Sequence, residues 1–261
     1  MKILTLNTWN ERGPWKERWE MIFQGLRELR PDIAAFQEVF KRDWAEEVQR
    51  RTGYEHLVFG EEGSGLMILS RYPVAEAECM TLKAQSPTEE YRRYVLYAKL
   101  TVPFPSGHPE HSEGSEILRF AQNDMAVFNT HLSWKLNEGE IREYQVGELL
   151  GFIRHKAPKG LAVAMGDFNA PSSAKEICRV MLEGGFIDLF GVKHPGVPGL
   201  TWDNRNPFAA GSSVPLPDRR IDYIFMRGVS ITKVGSVDIV FAEPRGGIYA
   251  SDHFGVFAEI Q

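Results

Sequence analysis

Short apolar runs alternate with amphipathic helical segments along nearly the whole chain. The first apolar run, 2–7 (KILTLN), precedes a segment at 15–30 whose large apolar residues recur at helical spacing until Pro31. Another apolar run at 32–39 precedes a charged helical segment at 43–53. Because such segments bury their apolar faces when helices cover sheets, the pattern predicts an α/β or α+β architecture.

The alternation continues towards the end of the sequence. Further strands are predicted at 65–70, 94–102, 125–132, 160–168, 220–228, 231–240 and 254–260. Helices are predicted at 140–156 and 173–185. Since no internal repeat recurs at a fixed period, we interpret the 261 residues as a single domain, 1–261, which is long enough to bury a full core.

One segment, near 104–124, departs from this pattern. It lies between two predicted strands and is rich in Pro, Gly, Ser, His and Glu. It is too long for an ordinary hairpin turn, and irregular segments of this kind are tolerated best at the surface. We therefore predict that it is an insertion in a surface loop.

The net charge limits the kinds of nucleic-acid binding that the chain can support. At −5, with a pI near 5.9, the chain has no overall basic field for non-selective binding along a polyanion. A local basic groove is compatible with this composition. The acidic balance favours a short or end-bound substrate over long duplex DNA.

Cysteine content and hydropathy indicate the compartment. Cys79 and Cys178 are the only cysteines and lie far apart, which predicts neither a disulfide framework nor a thiolate metal site. The N-terminal segment lacks the apolar core of a signal peptide, and no run approaches the roughly 18 apolar residues of a spanning helix. We expect a cytoplasmic monomer without a transmembrane segment.

Polar side chains end or interrupt several of the predicted buried strands. These residues are Asn7, Glu38, His131, Asp167, Asn169, Asp222, Asp252 and His253. A single residue of this kind is usually a cap or a turn residue. Because strand ends of a packed sheet converge, a whole set is costly to bury unless a cation and a substrate use it. The sequence therefore predicts a functional site at these strand ends.

The residue types in this set suit a hard divalent cation. Glu38, Asp252 and the amide oxygen of Asn7 are oxygen donors that fit Mg²⁺, with Mn²⁺ as the alternative. Zinc would usually take more histidine or thiolate ligands. A cation that polarises a phosphoryl oxygen lets a carboxylate take a proton from an attacking water. The set therefore predicts metal-dependent hydrolysis of a phosphate ester by in-line attack of water.

The remaining members of the set supply the other groups that this chemistry needs. Asp167 is the predicted base, and Asn169 positions the water or donates to the phosphate. His131 and His253 are predicted donors to the phosphoryl group, and Asp222 fixes the tautomer of one imidazole. All five are therefore predicted catalytic residues.

The motifs that contain these residues resemble the endonuclease/exonuclease/phosphatase superfamily. They are Asn7, QE at 37–38, THL at 130–132, GDFN at 166–169, RIDYI at 220–224 and SDH at 251–253. Each motif is weak alone, but together they follow the order of the superfamily across nearly the whole chain. The resemblance implies an α+β, four-layer α/β/β/α sandwich, with two central mixed β-sheets flanked by helices. It also implies metal-dependent cleavage of phosphodiesters or phosphomonoesters.

The resemblance carries roles residue by residue. Glu38 looks like the principal metal ligand, with Asn7 and Asp252 nearby. Asp167 looks like the residue that activates water, and Asn169 looks like its partner. The remaining matches are two phosphate-contacting histidines and the carboxylate that supports one of them: His131, His253 and Asp222.

Two branches of the superfamily fit the sequence. Neutral sphingomyelinases are similar in the asparagine followed two positions later by Trp9, in the stretch at 63–74 and in RIDYI. The motif TWDNRNP at 201–207, followed by DRRIDYIF, resembles the tyrosyl-DNA phosphodiesterase branch. Trp9 stands where abasic-site endonucleases have an acidic residue, which disfavours that branch.

Aromatic and basic residues near the motifs are the predicted substrate contacts. Trp9 and Trp202 either form a wall for a base, a side chain or a lipid, or simply close the core. In the tyrosyl-DNA phosphodiesterase resemblance, Trp202 and Asn204 line the substrate groove and Arg219 or Arg220 meets phosphate. Of the RR pair at 92–93, strand alternation directs one arginine outward.

The combined prediction is a magnesium-dependent phosphodiesterase. Its substrate is either a nucleic-acid end of DNA or RNA, such as a 5′-tyrosyl end, or a phospholipid headgroup or small-molecule diester. The alternative is a binding or scaffold protein that keeps the fold without catalysis. Glu38, Asp167 and His253 are all present, which favours the enzyme.

Overall fold

The computed structural model describes residues 1–102, 124–211 and 216–261. The strands are β1 (Lys2–Asn7), β2 (Ile33–Gln37), β3 (His56–Phe59), β4 (Met67–Ser70), β5 (Val74–Thr81), β6 (Tyr94–Thr101), β7 (Asp124–His131), β8 (Leu161–Asp167), β9 (Ile187–Asp188), β10 (Asp222–Arg227), β11 (Val234–Val240) and β12 (Gly255–Ile260). The helices are α1 (Trp15–Leu29), α2 (Arg42–Thr52), α3 (Gly139–Lys156), α4 (Lys175–Leu182), α5 (Leu189–Lys193) and α6 (Pro207–Ala210), with a 3₁₀ turn at Ile231–Lys233.

The strands form two mixed sheets of six strands each. The order in the first sheet is β11-β12-β1-β2-β4-β3, and the order in the second is β5-β6-β7-β8-β10-β9. One apolar cluster joins residues of both sheets, a second joins the first sheet to α1 and α2, and a third joins the second sheet to α3 and α4. These clusters define four layers, which confirms the predicted α/β/β/α sandwich.

Burial on both faces explains why the central strands are continuous apolar runs. In β1, Ile3 packs into the cluster between the sheets, whereas Leu4 packs against the helices. In β8, Val163 and Ala164 divide in the same way between the two sides of the second sheet. A strand covered on both sides carries few polar residues before its end, because each one needs a buried hydrogen-bond partner.

Three strands lack a continuous apolar run and were not predicted from the sequence. β3 and β9 are short, and β5 is an edge strand whose Glu76 and Glu78 are exposed. Residues 231–233, predicted as strand, form the 3₁₀ turn because the side chain of Ser230 accepts the Thr232 N–H. The predicted insertion near 104–124 lies outside the described residues except for Asp124, which begins β7.

Four other expectations concern the chain as a whole: the absence of a transmembrane segment, the single domain, the location and the oligomeric state. None of the helices in the described part combines the length and apolar composition that crossing a bilayer requires. The single domain, the cytoplasmic location and the monomeric state stay predictions.

A buried amide pair ties the two sheets together. Asn129 on β7 donates its Nδ2 to the carbonyl oxygens of Phe36 and Met67, at 2.9 and 3.1 Å. Its Oδ1 accepts from Gln37 Nε2 at 2.7 Å. Gln37 precedes Glu38, and Asn129 lies two residues before His131 on β7. The tie therefore fixes the register between the parts of the two sheets that carry the predicted site residues.

Candidate active site

Strand pairing brings three of the predicted residues side by side. Asp167 ends β8, where it is the register partner of His131 on β7 and of Asp222 on β10. Because β7 and β8 are parallel, their C-terminal residues meet at one edge of the sheet. Asp222 joins them because β10 runs antiparallel and begins at the same edge.

The first sheet supplies the other half of the site. Asn7 ends β1, and Glu38 follows β2 with a left-handed φ of 63°. Asp252 and His253 lie just before β12, and the Ser251 hydroxyl donates to the Asn7 carbonyl at 2.7 Å. The site therefore spans both sheets, and its geometry depends on how they are registered.

These residues open onto a cavity of about 590 Å³. Among the residues that line it are Asn7, Trp9, Arg12, Glu38, Arg92, Arg93, His131, Trp134, Lys135, Asp167, Asn169, Trp202, Phe208, Asp252 and His253. A cavity of this size and mixed lining fits a substrate larger than inorganic phosphate. Asp222 does not line it and lies buried behind His253.

Asp167 is buried and surrounded by hydrogen-bond donors. Its Oδ2 accepts from Asn7 Nδ2 at 3.0 Å, and its Oδ1 accepts from the backbone N–H of Asn169 at 2.9 Å. The Nε2 atoms of His131 and His253 lie 3.4 and 3.7 Å from Oδ2. Burial, together with the negative charge of Asp222, raises the pKa of Asp167 to about 7. This carboxyl therefore gains and loses a proton near neutral pH.

The two histidines carry different charges. Burial lowers the pKa of His253, but Asp222 and Asp167 more than offset this and raise the pKa to about 10. His253 is therefore an imidazolium at neutral pH, with Nδ1 2.9 Å from Asp222 Oδ2. Burial and the positive charges of Arg93 and His253 hold the pKa of His131 well below its usual value. His131 is therefore neutral.

Replacing Asp222 by asparagine tests the charge on His253. A folded-state pKa above the ordinary 6.5 means that the His253–Asp222 pair stabilises the fold fully below pH 6.5 and loses this effect as the pH rises through about 10. We expect the wild type to lose roughly 2 kcal/mol more unfolding free energy than Asp222→Asn between pH 6 and 10. Urea unfolding at the two pH values measures this difference, and equal losses contradict the charge assignment.

Glu38 and Asp252 fit a hard divalent cation. Burial first, and then the negative charge of Glu38, raise the pKa of Asp252 to about 7, although His253 and Arg18 oppose the shift. Asp252 is buried and Glu38 is half-buried, and a bound cation would relieve the repulsion between these two neighbouring carboxylates. The oxygen chemistry of this pair therefore agrees with the predicted Mg²⁺ ligands.

Asn7 differs from the expectation in its orientation. Its Nδ2 faces Glu38 Oε1 at 3.3 Å as well as Asp167, while its Oδ1 accepts the Trp9 N–H at 3.1 Å. Asn7 therefore lies between the two carboxylates but presents its amide nitrogen to them. Its predicted use as an oxygen ligand requires rotation of the amide group.

A second group of residues has the spacing of a metal site. Asp167, Asp222 and His253 offer ligand atoms that lie within 4.8 Å of one another. An imidazolium cannot bind a metal, because coordination needs the lone pair that the proton occupies. Since Asp222 keeps His253 charged, we interpret this group as a hydrogen-bonded acid–base network rather than a metal centre.

Of the predicted substrate contacts, Trp9 and Trp202 lie at the cavity, whereas Asn204 and Arg220 do not. Arg220 forms a buried ion pair with Asp188, with N–O distances of 2.7 and 2.9 Å. Asn204 Nδ2 donates to Asp218 Oδ1 at 2.6 Å on the surface. The structure therefore uses Arg220 and Asn204 for contacts within the protein, and we leave both out of the site.

Other residues at the cavity carry no motif. Arg93 is buried, and Glu89 Oε2 accepts from its Nε and Nη2 at 2.8 and 2.6 Å. Arg92 is exposed at the rim, but both arginines precede β6, which begins at Tyr94, so strand alternation does not set their directions. Phe208 packs against Trp9 with 4.8 Å between ring centroids. Arg12 lies in a loop and Phe208 lies in α6, a helix of four residues, so neither gives a periodic signal in the sequence.

The four-layer fold, with carboxylate and histidine side chains gathered at its strand ends, agrees with a hydrolase of the phosphoesterase class. The sequence matches the model of the Endonuclease/Exonuclease/phosphatase family over residues 4–253. The chain therefore belongs to this family. No curated protein matches the sequence.

Solved structures share the fold at low sequence identity. TDP2 of D. rerio complexed with single strand DNA product has a TM-score of 0.75 and 20% identity, covering 100% of this chain and 98% of that chain. TDP2 from C. elegans has a TM-score of 0.76 and 17% identity over 99% of this chain and 74% of that chain. A functionally unknown conserved protein from Enterococcus faecalis V583 has a TM-score of 0.73 and 20% identity over 100% and 99%. These similarities confirm the fold.

Proposed function

We propose that this protein is a metal-dependent phosphodiesterase in which Asp167 activates the attacking water. The observation that carries the proposal is the geometry around the buried Asp167 carboxyl: Asn7 and the Asn169 N–H hold it at the strand ends, and the Nε2 atoms of His131 and His253 lie 3.4 and 3.7 Å from its Oδ2. Burial also raises the pKa of this carboxyl to about 7. A general base works best when its pKa lies near the operating pH. A scaffold protein would have no use for such a costly buried arrangement.

Each neighbouring group has a defined part in the proposed reaction. The Asn169 N–H holds Asp167 Oδ1, so that Oδ2 faces the histidines and accepts the proton of water. The His253 imidazolium donates to the phosphoryl oxygens and stabilises the charge that develops there. As the water oxygen bonds to phosphorus, the P–O bond to the leaving group breaks, and that group departs as an alkoxide or phenolate that takes a proton from solvent. Asp222 keeps His253 charged and oriented. His131 is neutral and donates its one N–H to the phosphoryl group.

Glu38 and Asp252 are the proposed metal ligands, with Asn7 beside them. When bound there, Mg²⁺, or Mn²⁺ as the alternative, would polarise a phosphoryl oxygen and orient the phosphate for in-line attack. The protein's part is to hold the buried Asp252 carboxylate beside the half-buried Glu38 carboxylate, where their mutual repulsion favours the cation.

The cavity favours a nucleic-acid end as the substrate. Two aromatic pairs lie among its lining residues: Trp9 packs on Phe208 with the ring planes tilted by 32°, and Phe40 stacks on Tyr91. Such pairs suit planar rings, and nearby cations suit further phosphates along a strand. The cations at the cavity outside the catalytic centre are Arg12, Arg92, Arg93 and Lys135. The resemblance to the tyrosyl-DNA phosphodiesterase branch agrees with a 5′-tyrosyl DNA end.

A panel of diesters tests the substrate. It contains 5′-tyrosyl single-stranded DNA, unmodified DNA and RNA, sphingomyelin and bis(4-nitrophenyl) phosphate, each with Mg²⁺ and with EDTA. We expect Mg²⁺-dependent turnover with the highest kcat/KM for the tyrosyl DNA. Preference for sphingomyelin would favour the lipid branch, which the sequence also resembles. It would contradict a nucleic-acid end as the substrate.

Arg92→Ala tests whether the rim contacts a flanking phosphate. We expect KM for an oligonucleotide to rise and the log–log salt slope to fall by about 1, because one phosphate contact is lost. Hydrolysis of bis(4-nitrophenyl) phosphate should not change. Arg154→Ala on the exposed surface of α3 is the matched control. Equal effects of the two variants would contradict a phosphate contact at Arg92.

A further inference from the structure

Arg18 on α1 is fully buried, yet it makes no ion pair with any described residue. Its guanidinium donates to five backbone carbonyl oxygens at 2.7 to 3.2 Å: Thr8, Trp9, Asn10, Arg12 and Ala250. Buried arginines usually need a carboxylate partner. Here the whole hydrogen-bonding capacity is used to hold loops, and four of the five carbonyls belong to the turn after β1.

The turn that Arg18 holds has a strained backbone. Trp9 and Asn10 are consecutive residues with φ of 56° and 47°, in the left-handed region that disfavours residues with a Cβ. Strain of this kind persists only where the surroundings enforce it. Arg18 enforces this conformation, because its Nη2 donates to the carbonyl oxygens of both strained residues.

The strained turn brings Trp9 to the substrate cavity. Trp9 lines the cavity and packs on Phe208, and the Arg18 guanidinium lies over the indole at 4.8 Å from its centroid. Gly13 permits this packing, because a Cβ there would lie 3.0 Å from the indole. Arg18 thus fixes both the backbone and the ring of Trp9 without lining the cavity itself.

We propose that Arg18 is a positioning residue for substrate recognition, acting through Trp9 on the planar group that stacks there. The inference rests on the proposed function, since it names how that site recognises its substrate. Lysine cannot replace Arg18, because one ammonium group cannot reach carbonyls spread over the whole turn and the Ala250 loop.

The chain offers a matched control in Arg142. This arginine is also buried and donates to the carbonyls of Ser133 and Lys135, at 3.1 and 2.7 Å. It shapes the loop that carries Trp134 and pairs with Glu176 at 2.8 Å. Arg142 therefore resembles Arg18 in being buried and in donating to loop carbonyls, but it also has a carboxylate partner and holds a different group of lining residues.

A double-mutant cycle separates positioning from general stability. We expect Arg18→Lys and Trp9→Ala each to raise KM for the oligonucleotide about tenfold, with a much smaller effect on kcat. The double variant should be no worse than Trp9→Ala, because Arg18 acts through that ring. The effects of Arg142→Lys and Trp9→Ala on KM should instead multiply when the two substitutions are combined. Multiplicative effects of Arg18→Lys and Trp9→Ala would overturn the proposal.

A second readout does not need turnover. In protein labelled with 5-fluorotryptophan, the ¹⁹F signal of Trp9 is assigned from its loss in Trp9→Phe. We expect Arg18→Lys to shift or broaden this signal and Arg142→Lys to leave it unchanged. An unchanged Trp9 signal in Arg18→Lys overturns the proposal. If the wild type hydrolyses no diester, the proposed function fails, while this experiment still decides the role of Arg18.

Asn10→Gly covers the case in which Arg18→Lys does not fold. Glycine adopts the left-handed region without strain, so Asn10→Gly should restore folding and part of the native Trp9 signal to Arg18→Lys. If the double variant also fails to fold, Arg18 serves the fold as a whole and the specific role for Trp9 is overturned.

Discussion

Asp167→Asn is expected to lower kcat about 10³-fold and to leave the fold intact. The substitution removes the proposed base but keeps an amide of the same size beside Asn7 and Asn169. The pKa of Asp167 is raised from its ordinary 3.8 to about 7, so its ionisation destabilises the metal-free fold increasingly as the pH rises through this interval. We therefore expect the metal-free variant to be more stable than the wild type at pH 8.

Asp188→Asn is the control for this prediction. Asp188 is also buried, but it pairs with Arg220 at 2.7 Å instead of facing the cavity. Its replacement leaves a buried guanidinium without its partner, which typically costs about 3–5 kcal/mol. The two variants should thus show opposite effects in urea unfolding. Retention of more than a tenth of wild-type kcat by Asp167→Asn would contradict its assignment as the base.

Removal of the metal with EDTA is expected to lower kcat at least about 10³-fold, and added Mg²⁺ should restore it. Glu38→Gln should raise the Mg²⁺ concentration for half-maximal activity by at least about tenfold, because it removes one of the two negative charges that favour the cation. Titration of activity with Mg²⁺, together with the rise in Tm that Mg²⁺ causes, measures both effects.

Glu89→Gln is a control on the same cavity. Glu89 lines the cavity as Glu38 does, but its carboxylate binds Arg93. We expect this variant to keep the wild-type Mg²⁺ requirement, whatever its effect on substrate binding. If Glu89→Gln and Glu38→Gln shift the Mg²⁺ requirement equally, the effect is one of overall cavity charge and not of ligation.

The strand-end residues proposed for catalysis could be located from the sequence, because their positions follow strand geometry. Asp167, His131 and Asp222 interrupt apolar runs, and strands of one sheet must place their ends side by side. The apolar runs also predict the two covered sheets, since a strand buried on both faces carries almost no polar residues.

Contacts made by single side chains could not be predicted from the sequence in this way. The pairing of Arg220 with Asp188 depends on β9, a strand of two residues that leaves no pattern. The orientation of the Asn7 amide is set by the turn at Trp9, and that turn depends on Arg18 from α1. Such contacts join segments that are distant in sequence or irregular, where periodicity carries no information.

The initial rate of bis(4-nitrophenyl) phosphate hydrolysis, measured with Mg²⁺ and with EDTA for the wild type and for Asp167→Asn, tests the central claim most directly. The account predicts turnover only by the wild type and only with Mg²⁺. Turnover that is unaffected by EDTA, or that Asp167→Asn retains, would contradict metal-dependent hydrolysis centred on Asp167.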